Sequence, residues 1–308
     1  MKQFIVDDYP APQPAVELSG RAFHYLIRVR RHRKGDTVEL AFSNGDKIPY
    51  TVTEIDFAHN IIRFTEAAKA DSAKSDKQGG IRLFQHAVNS KPESFLLSPP
   101  LILLQWMLKT AKMDLVIRQA TEVGVRFVLP VFGEFSVAQK QHEGKASRYE
   151  RIVKEARQQS DSPVLTEVLP ACLLQNALAL LPDIISTAIK ETQRHEKSSS
   201  GLHTGAEALH IVKIVCTEKA VNTSGLLPIL KEPYDAAIIA IGCEGGISDT
   251  EYALLDANGF VPCHFQTNIL RAETASLYAL AAVQSLEREL HAAQTSTIGT
   301  MIRSDNES

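Results

Sequence analysis

Two short segments in the C-terminal third of the sequence hold the residues best suited to chemistry. Residues 241–246 (IGCEGG) contain three glycines in five positions. Such a loop can turn sharply and approach a ligand closely, because glycine lacks a Cβ atom. Residues 268–275 (NILRAETA) place an arginine two positions before a glutamate. The guanidinium of Arg271 could hold oxygen atoms with its planar fork, and Glu273 could bond free amides at a helix start.

Each of these residues also has a purely structural interpretation. A glycine-rich turn between a strand and a helix needs no ligand, and this one matches neither the dinucleotide-binding pattern nor the P-loop. Arg271 could form an ion pair with Glu122, Glu244 or Glu273. Glu273 could cap its helix or orient Arg271 rather than act as a general base. The residue types alone leave these alternatives open.

Alternating strands and helices place both segments at one edge of a sheet. Each segment follows an apolar run, 236–241 or 260–265, and open α/β sheets bind ligands at the carboxyl ends of their strands. The alternation itself indicates a mainly parallel sheet that helices cover on both faces. The predicted strands are 101–108, 127–132, 184–189, 211–217 and 236–241, and the predicted helices are 115–123, 146–159, 173–181, 250–258 and 272–292.

The N-terminal part of the chain differs in pattern. Short β-branched runs at 37–42, 48–55 and 61–64 are separated by turn residues, which is typical of a small β-barrel. We therefore predict four regions along the chain. They are a barrel at 1–67, a linker and insertion at 68–100 with a strand-like run at 81–88, an α/β domain at 101–293 and a disordered tail at 294–308.

Composition indicates an ordinary globular protein. The chain has 308 residues, a net charge of −3 and a hydrophobic share of 44%. Its four cysteines form no C-x-x-C pair, so we expect free thiols and no metal site. The first residues lack a secretory pattern, and the apolar stretch 95–108 is too short to span a bilayer. A soluble, cytoplasmic protein that does not enter membranes is expected.

Four motifs together resemble the RsmE family, the methyltransferases that act on N3 of a uridine in 16S ribosomal RNA. The family signatures I-G-P-E-G-G and I-L-R-x-E-T-A match the two segments above, except that Cys243 replaces the usual proline. A lysine-rich lead at 109–114 into residues 120–125 (ATEVGV), and residues 28–36 (RVRRHRKGD), are also similar to family motifs.

The resemblance implies a fold, a cofactor and partners. The fold is the SPOUT class, α/β with a C-terminal trefoil-knotted parallel sheet domain, beside a small N-terminal β-barrel (PUA/OB-like) domain that binds RNA. The cofactor is S-adenosylmethionine, bound in the knot without any metal. The partners are 16S rRNA or the assembled small ribosomal subunit, and a second copy of the chain in a homodimer.

The resemblance also implies site residues. Arg271 and Glu273 correspond to catalytic positions. The cofactor-binding positions are Cys216, Thr217, Gly242, Glu244, Gly245, Phe265, Gln266, Ile269, Leu270 and Ala275. The RNA-binding positions are Arg28, Arg31, Arg33, Lys109 and Lys112. Ordinary solvent exposure is an equal alternative for the two lysines.

The basic segment, residues 28–34, supports RNA binding independently of the resemblance. Residues 1–67 hold nine basic and nine acidic side chains, and five of the nine basic ones lie in these seven positions. Clustered charge in a neutral domain is typical of a phosphate-binding patch, although a solvated turn is the alternative.

Several positions depart from the family pattern. Gln266 and Asn268 stand where a glycine and an arginine are usual, and Phe135 and Ser162 replace two further arginines. These changes put RNA affinity and the target nucleotide in doubt. Two other functions therefore stay open: a SPOUT methyltransferase for another RNA position, and a non-catalytic RNA-binding or ribosome-assembly protein.

Overall fold

The computed structural model describes residues 3–6, 8–42, 44–67, 98–136, 146–197, 209–218 and 224–305. The chain divides into two compact units, of which the first holds the chain up to residue 91 together with 158–161, and the second holds the rest. The strand-like run predicted at 81–88 lies outside the described residues.

The first unit is built on a five-stranded curled sheet. Its strands are β1 Phe4–Val6, β2 Ala15–Ser19, β3 Thr37–Phe42, β4 Lys47–Asp56 and β5 Ile61–Glu66. They pair in the order β1-β3-β4-β5-β2, and only the β1–β3 pair is parallel. The sequence predicted β3, β4 and β5 but neither β1, which has only three residues, nor β2, whose alternation of exposed and buried residues extends over only five.

One face of this sheet is closed by helical turns. Helix α1, Gly20–Phe23, leads into a π-helical turn, His24–Val29. Phe23 and Leu26 are buried against alternate strand residues such as Leu40 and Ile62. The sheet residues alternate between core and solvent because strand side chains point to opposite faces. The basic segment, residues 28–34, begins at the C-terminal end of the π-helical turn.

The second unit contains a parallel seven-stranded sheet. Its strands are β6 Leu101–Trp106, β7 Phe127–Phe132, β8 Glu167–Val168, β9 Cys172–Leu173, β10 Ile211–Cys216, β11 Ala236–Ile241 and β12 Val261–Cys263. The order is β12-β10-β11-β6-β7-β8, with β9 also paired to β7. All six residues of β6 and of β11 are buried, which explains their largely uninterrupted apolar sequences.

Helices cover this sheet. They are α2 Thr110–Val123, α3 Ala146–Ser160, α4 Leu174–Lys197, α5 Leu226–Leu230, α6 Asp249–Ala257 and α7 Ala272–Asp305. Gly124 ends α2 with a φ of 91°, a left-handed conformation that glycine adopts without strain. The helices predicted at 146–159 and 250–258 match α3 and α6 to within one residue at each end. The helix predicted at 115–123 ends where α2 ends, but α2 begins five residues earlier.

The strand predicted at 184–189 is wrong, because these residues belong to α4. The sequence shows a β-branched run there, interrupted from the preceding helix by Pro182. The buried residues nevertheless follow a helical spacing through the proline: Leu174, Ala177, Leu181, Ile184, Ile185, Ala188 and Ile189. Burial of this continuous face outweighs local strand propensity.

The final helix is longer than predicted. We expected it to end at residue 292 and to be followed by a disordered tail from 294, but α7 continues to Asp305. Residues 293–305 contain no proline, and their single glycine costs a helix only about 1 kcal/mol. The local sequence therefore offers no strong stop signal.

Candidate active site

A cavity of about 1130 Å³ opens at the carboxyl ends of β10, β11 and β12. These three strands are neighbours and parallel, so the loops that follow them meet at one edge of the sheet. The loop after β11 is the glycine-rich loop, and the loop after β12 leads into α7. The topology thus brings together the two segments that the sequence singled out.

The glycine-rich loop closes as a tight turn. The Gly246 amide donates to the Cys243 carbonyl at 2.9 Å, and the Cys243 thiol lies 3.4 Å from the Gly246 carbonyl oxygen. Gly246 has a φ of 80°, which side chains rarely adopt. Burial raises the pKa of the Cys243 thiol, so this residue packs as a neutral group where the family usually has proline.

The other two glycines are required by space rather than by backbone angle. A Cβ atom at Gly242 would lie 2.9 Å from Ile247 Cγ1 and 3.0 Å from the Gly246 carbonyl carbon. A Cβ atom at Gly245 would lie 2.8 Å from Phe135 Cβ. All three distances are shorter than an ordinary carbon–carbon contact. The loop therefore keeps its shape only with glycine at both positions.

Gln105, in the central strand β6, connects the glycine-rich loop to α7. Its amide Nε2 lies 3.0 Å from the Trp106 carbonyl oxygen and 3.4 Å from each of the carbonyl oxygens of Ile241 and Gly242. Its Oε1 accepts a hydrogen bond from the Ser276 hydroxyl at 2.5 Å. Gln105 is fully buried. Sequence reasoning missed it, although a single glutamine within an apolar strand was the available signal.

Lys112 bridges two carboxylates at the cavity wall. Its Nζ lies 2.9 Å from Glu244 Oε1 and 3.3 Å from Glu273 Oε2. The hydrogen bond to Glu244 raises the pKa of Lys112. Burial favours a higher pKa for Glu244, but the hydrogen bond from Lys112 outweighs it and lowers that pKa, with smaller contributions from a backbone hydrogen bond and from the charges of Lys112 and Lys109. Lys112, predicted as an RNA contact, thus holds the glycine-rich loop against the start of α7.

Arg271 lies at the cavity wall, where its guanidinium is accessible to a ligand. Its side chain is exposed and it lines the cavity. Within the described ranges it forms no ion pair with Glu122, Glu244 or Glu273. Its carbonyl oxygen accepts hydrogen bonds from the Thr274 and Ala275 amides at 2.9 and 2.8 Å, so its backbone begins α7. The ion-pair alternative for this arginine is therefore not observed.

A capping box orders the far wall of the cavity. Ser248 and Glu251 exchange the two hydrogen bonds of this motif at the start of α6. Glu251 Oε1 also accepts from Trp106 Nε1 at 3.1 Å and from the Glu134 amide at 3.0 Å. The loop that carries Phe135 is thereby tied to α6. The S-x-x-E spacing was the sequence signal for this motif.

The structure brings together most of the predicted cofactor residues. Those that line the cavity are Cys216, Thr217, Gly242, Glu244, Gly245, Phe265, Ile269, Leu270 and Ala275. Gln266 is not in the wall, because its left-handed backbone, with a φ of 52°, leaves its side chain exposed. Lining residues that sequence reasoning missed include Glu218, Asp249, Tyr252, Asp256, His264 and Thr267.

The thiols beside the cavity are neutral near pH 7. Burial raises the pKa of Cys263 to about 11. Burial, with a smaller effect of Cys263, also raises the pKa of Cys216. All four cysteines are free. These side chains therefore contribute packing and not a nucleophile.

In the first unit, the basic segment forms an exposed patch. Arg28, Arg31 and Arg33 are exposed, and no ion pair engages their side chains among the residues that the structure describes. The Arg28 guanidinium carbon lies 5.9 Å from the ring centroid of Phe57, which is itself 60% exposed. The patch thus combines available positive charge with an accessible aromatic ring.

Neither a metal centre nor a membrane span is found in the part of the chain that the structure describes. Its residues contain no group of three or more His, Cys, Asp or Glu side chains placed to hold a metal ion. None of its helices has the length and apolar character needed to cross a bilayer.

Comparison with known proteins agrees with this geometry. The model of a family described as an RNA methyltransferase domain matches residues 97–284. A protein of Borreliella burgdorferi named ribosomal RNA small subunit methyltransferase E 2 is 26% identical over 290 residues, which are 93% of this chain and 98% of that protein. Its Bacillus subtilis namesake, ribosomal RNA small subunit methyltransferase E, is 24% identical over 90% of this chain and 92% of its own length.

A solved structure shows the same fold. The small subunit methyltransferase E of Neisseria gonorrhoeae, bound to S-adenosyl methionine, aligns with a TM-score of 0.65 and 20% identity over 93% of this chain and 98% of that one. The fold and the cavity define an α/β protein with a cavity at the carboxyl edge of a parallel sheet, where such sheets bind ligands. The chain belongs to the family of RNA methyltransferase domains, and its likeness to the RsmE members extends over nearly its whole length.

Proposed function

We propose that this protein transfers a methyl group from S-adenosylmethionine to N3 of a uridine in 16S ribosomal RNA. The observation that carries the proposal is the cavity that the glycine-rich loop and the loop before α7 build together, with Arg271, which has no ion-pair partner among the described residues, in its wall. The related proteins of Borreliella burgdorferi and Bacillus subtilis, which are small subunit methyltransferases, support the choice of RNA.

The residues of the cavity fit the cofactor. Its size of about 1130 Å³ exceeds what a nucleoside with an amino-acid arm requires, and leaves room for a nucleobase of the RNA. Gly242 and Gly245 let the backbone of the loop lie close to a ligand, and Phe265, Leu270 and Ala275 provide apolar wall. When bound, S-adenosylmethionine supplies an electrophilic methyl group on a sulfonium. The nine lining residues predicted from the sequence are therefore proposed as its binding residues.

Arg271 is proposed as the catalytic residue. Methylation at N3 requires loss of the ring proton, and the resulting negative charge spreads over the two flanking carbonyl oxygens of the uracil. A guanidinium without a carboxylate partner can donate to such oxygens. Glu273 contributes through Lys112, whose ammonium it shares with Glu244. This arrangement supports a positioning role for Glu273, because it fixes the first turn of α7, which directly follows Arg271.

We further propose that the first unit and Lys109 bind the RNA. Arg28, Arg31, Arg33 and Lys109 are exposed, and phosphate contacts by such residues dominate nucleic-acid affinity. The exposed ring of Phe57 beside Arg28 adds a surface on which a base can stack.

The proposal extends to the knot and the assembly. Strand β12 lies at the edge of the sheet, yet α7, which follows it, packs on β11 and α2. Ser276 of α7 reaches Gln105 in β6, so the chain returns from the edge to the centre of the sheet. This return supports the trefoil knot of the SPOUT class. The family resemblance supports a homodimer that acts in the cytoplasm.

A second candidate is a methyltransferase that acts on another RNA position. Phe135 and Asn268 both line the cavity, and the family usually has arginine at each. Loss of two positive charges from a surface that would face the RNA favours a different target.

Mass spectrometry of 16S rRNA nucleosides from a strain that lacks this chain tests both candidates. Loss of one N3-methyluridine, restored by the wild-type gene but not by an Arg271→Ala variant, supports the first. Loss of another modification supports the second. An unchanged profile contradicts both and leaves a non-catalytic RNA-binding protein.

The RNA-binding proposal has a separate test. Replacing Arg28, Arg31 and Arg33 with alanine should weaken RNA binding at all sequences. It should also reduce the slope of log affinity against log salt by about 0.7 to 0.9 for each phosphate that the variant no longer neutralises. The matched control is Arg63→Ala, because Arg63 is already paired with Glu17 and Glu54. An equal slope in the triple variant and the wild type would contradict the assignment.

A further inference from the structure

Gln266 adopts a backbone conformation that its residue type disfavours. Its φ is 52°, in the left-handed region that glycine occupies freely and other residues rarely enter. Within the RsmE resemblance, this is the position at which glycine is usual. The loop between β12 and α7 thus keeps a left-handed turn at a residue that is not glycine. Another interaction must therefore stabilise this turn.

The side chain of His264 supplies that support. The Gln266 amide donates a hydrogen bond to His264 Nδ1 at 3.0 Å. A side-chain acceptor that binds the amide two residues later stabilises a turn in the same way as an Asx turn does. Because Nδ1 accepts this bond, the neutral imidazole carries its proton on Nε2.

The turn controls where the following residues lie. His264, Phe265 and residues 267–271 all line the cavity, whereas Gln266 itself is outside its wall. Phe265 is fixed on one side by an edge-to-face contact with Tyr278, with ring centroids 5.2 Å apart. The conformation at residue 266 then sets the direction in which the chain continues to Arg271.

We propose that His264 is a positioning residue for the cofactor loop, and that its Nδ1 takes over the role that glycine has at residue 266 in the family. This proposal rests on the proposed function, because it takes S-adenosylmethionine as the ligand that the loop binds. It predicts that the contribution of His264 disappears once residue 266 is a glycine.

Four variants test this coupling by calorimetric titration with S-adenosylmethionine. His264→Phe removes the acceptor and should weaken affinity by about 5-fold, the equivalent of about 1 kcal/mol for one hydrogen bond. His264→Asn keeps an acceptor for the amide two residues on and should bind within about 2-fold of the wild type. Gln266→Gly should bind at least as well as the wild type. The double variant His264→Phe/Gln266→Gly should match Gln266→Gly.

Three results would overturn the proposal. If His264→Phe binds like the wild type, the hydrogen bond has no effect on the site. If His264→Asn loses as much affinity as His264→Phe, the acceptor is not the property that matters. If Gln266→Gly does not rescue His264→Phe, the imidazole acts by direct contact with the ligand.

A measurement on the ligand-free protein separates this proposal from the proposed function. Long-range ¹H–¹⁵N correlation spectra of the histidine rings should show His264 as the Nε2-protonated tautomer at neutral pH. A proton on Nδ1 in the wild type would overturn the proposal even if S-adenosylmethionine binds. Failure of the wild type to bind S-adenosylmethionine, with the Nε2 tautomer present, would instead contradict the proposed function.

Discussion

Gly245→Val should weaken cofactor binding while leaving the protein folded. Gly245 does not have a left-handed backbone, so its constraint is spatial. A Cβ atom there would lie 2.8 Å from Phe135 Cβ, about 1 Å inside an ordinary carbon–carbon contact. The opposing atom is itself a Cβ, which cannot rotate away without a movement of its backbone. The two loops that carry these residues must therefore separate, and both line the cavity.

The expected magnitude follows from the cost of overpacking. Inserting carbon atoms into a filled space typically costs about 1–3 kcal/mol. If this cost applies to the loop conformation that binds S-adenosylmethionine, the affinity for S-adenosylmethionine decreases by about 5- to 150-fold. Valine adds two further methyl groups and should lie at the upper end, with alanine at the lower end. Strand β11 ends before this residue, so its buried core stays in place.

Calorimetric titration with S-adenosylmethionine, combined with urea denaturation, measures both effects. The matched control is Gly225→Ala, where a Cβ atom would lie 3.8 Å from Pro228 Cδ, an ordinary contact. Removing the opposing atom in Gly245→Ala/Phe135→Gly should recover part of the affinity that Gly245→Ala loses. Wild-type affinity in Gly245→Val would refute the argument, since the collision would then have no effect on the site.

Three further predictions concern the groups around the cavity. Arg271→Ala should keep cofactor affinity but lower methyl transfer by a factor on the order of 10²–10³, measured in single turnover; unchanged transfer would make Arg271 structural. Because Lys112 lowers the pKa of Glu244, the stabilisation by Glu244 is present above its unfolded-state pKa of about 4.3 and is lost as pH falls through the folded-state value. The difference in unfolding free energy between wild type and Glu244→Gln should therefore be constant well above that pH and decrease as pH falls below it, and a difference that does not change with pH would contradict this origin. Gln105→Leu should destabilise the protein by about 1–3 kcal/mol in urea denaturation, because two carbonyl groups at the end of β11 lose their buried donor; equal stability would show that those hydrogen bonds are weak.

Local sequence patterns were sufficient to predict the elements that carry the site. The β-branched run at 236–241, the three glycines that follow it, and the helix that begins after Arg271 are each visible within a window of about ten residues. The same approach failed at 184–189, where β-branched residues belong to α4. There the spacing of buried residues over the whole helix outweighs the preference of a short window.

The partners of the site residues were not visible in the sequence. Gln105 and Ser276 are 171 positions apart, and Lys112 meets Glu244 and Glu273 from a distant helix. Likewise, the sequence marks Gln266 only as a departure from the family, and the φ of 52° with its bond to His264 explains how the departure is accommodated.

The sequence by itself determined which residues turn, extend or coil in most of the elements that carry the site, because those preferences depend on near neighbours along the chain. The tertiary structure alone decided which side chains meet, because the strand order β12-β10-β11-β6 brings the ends of distant segments to one edge of the sheet. The apolar character of these strands fixes that they are buried, but many sheet orders would bury them equally well. The interactions of Gln105, Lys112 and Phe135 with the glycine-rich loop exist only in the order observed.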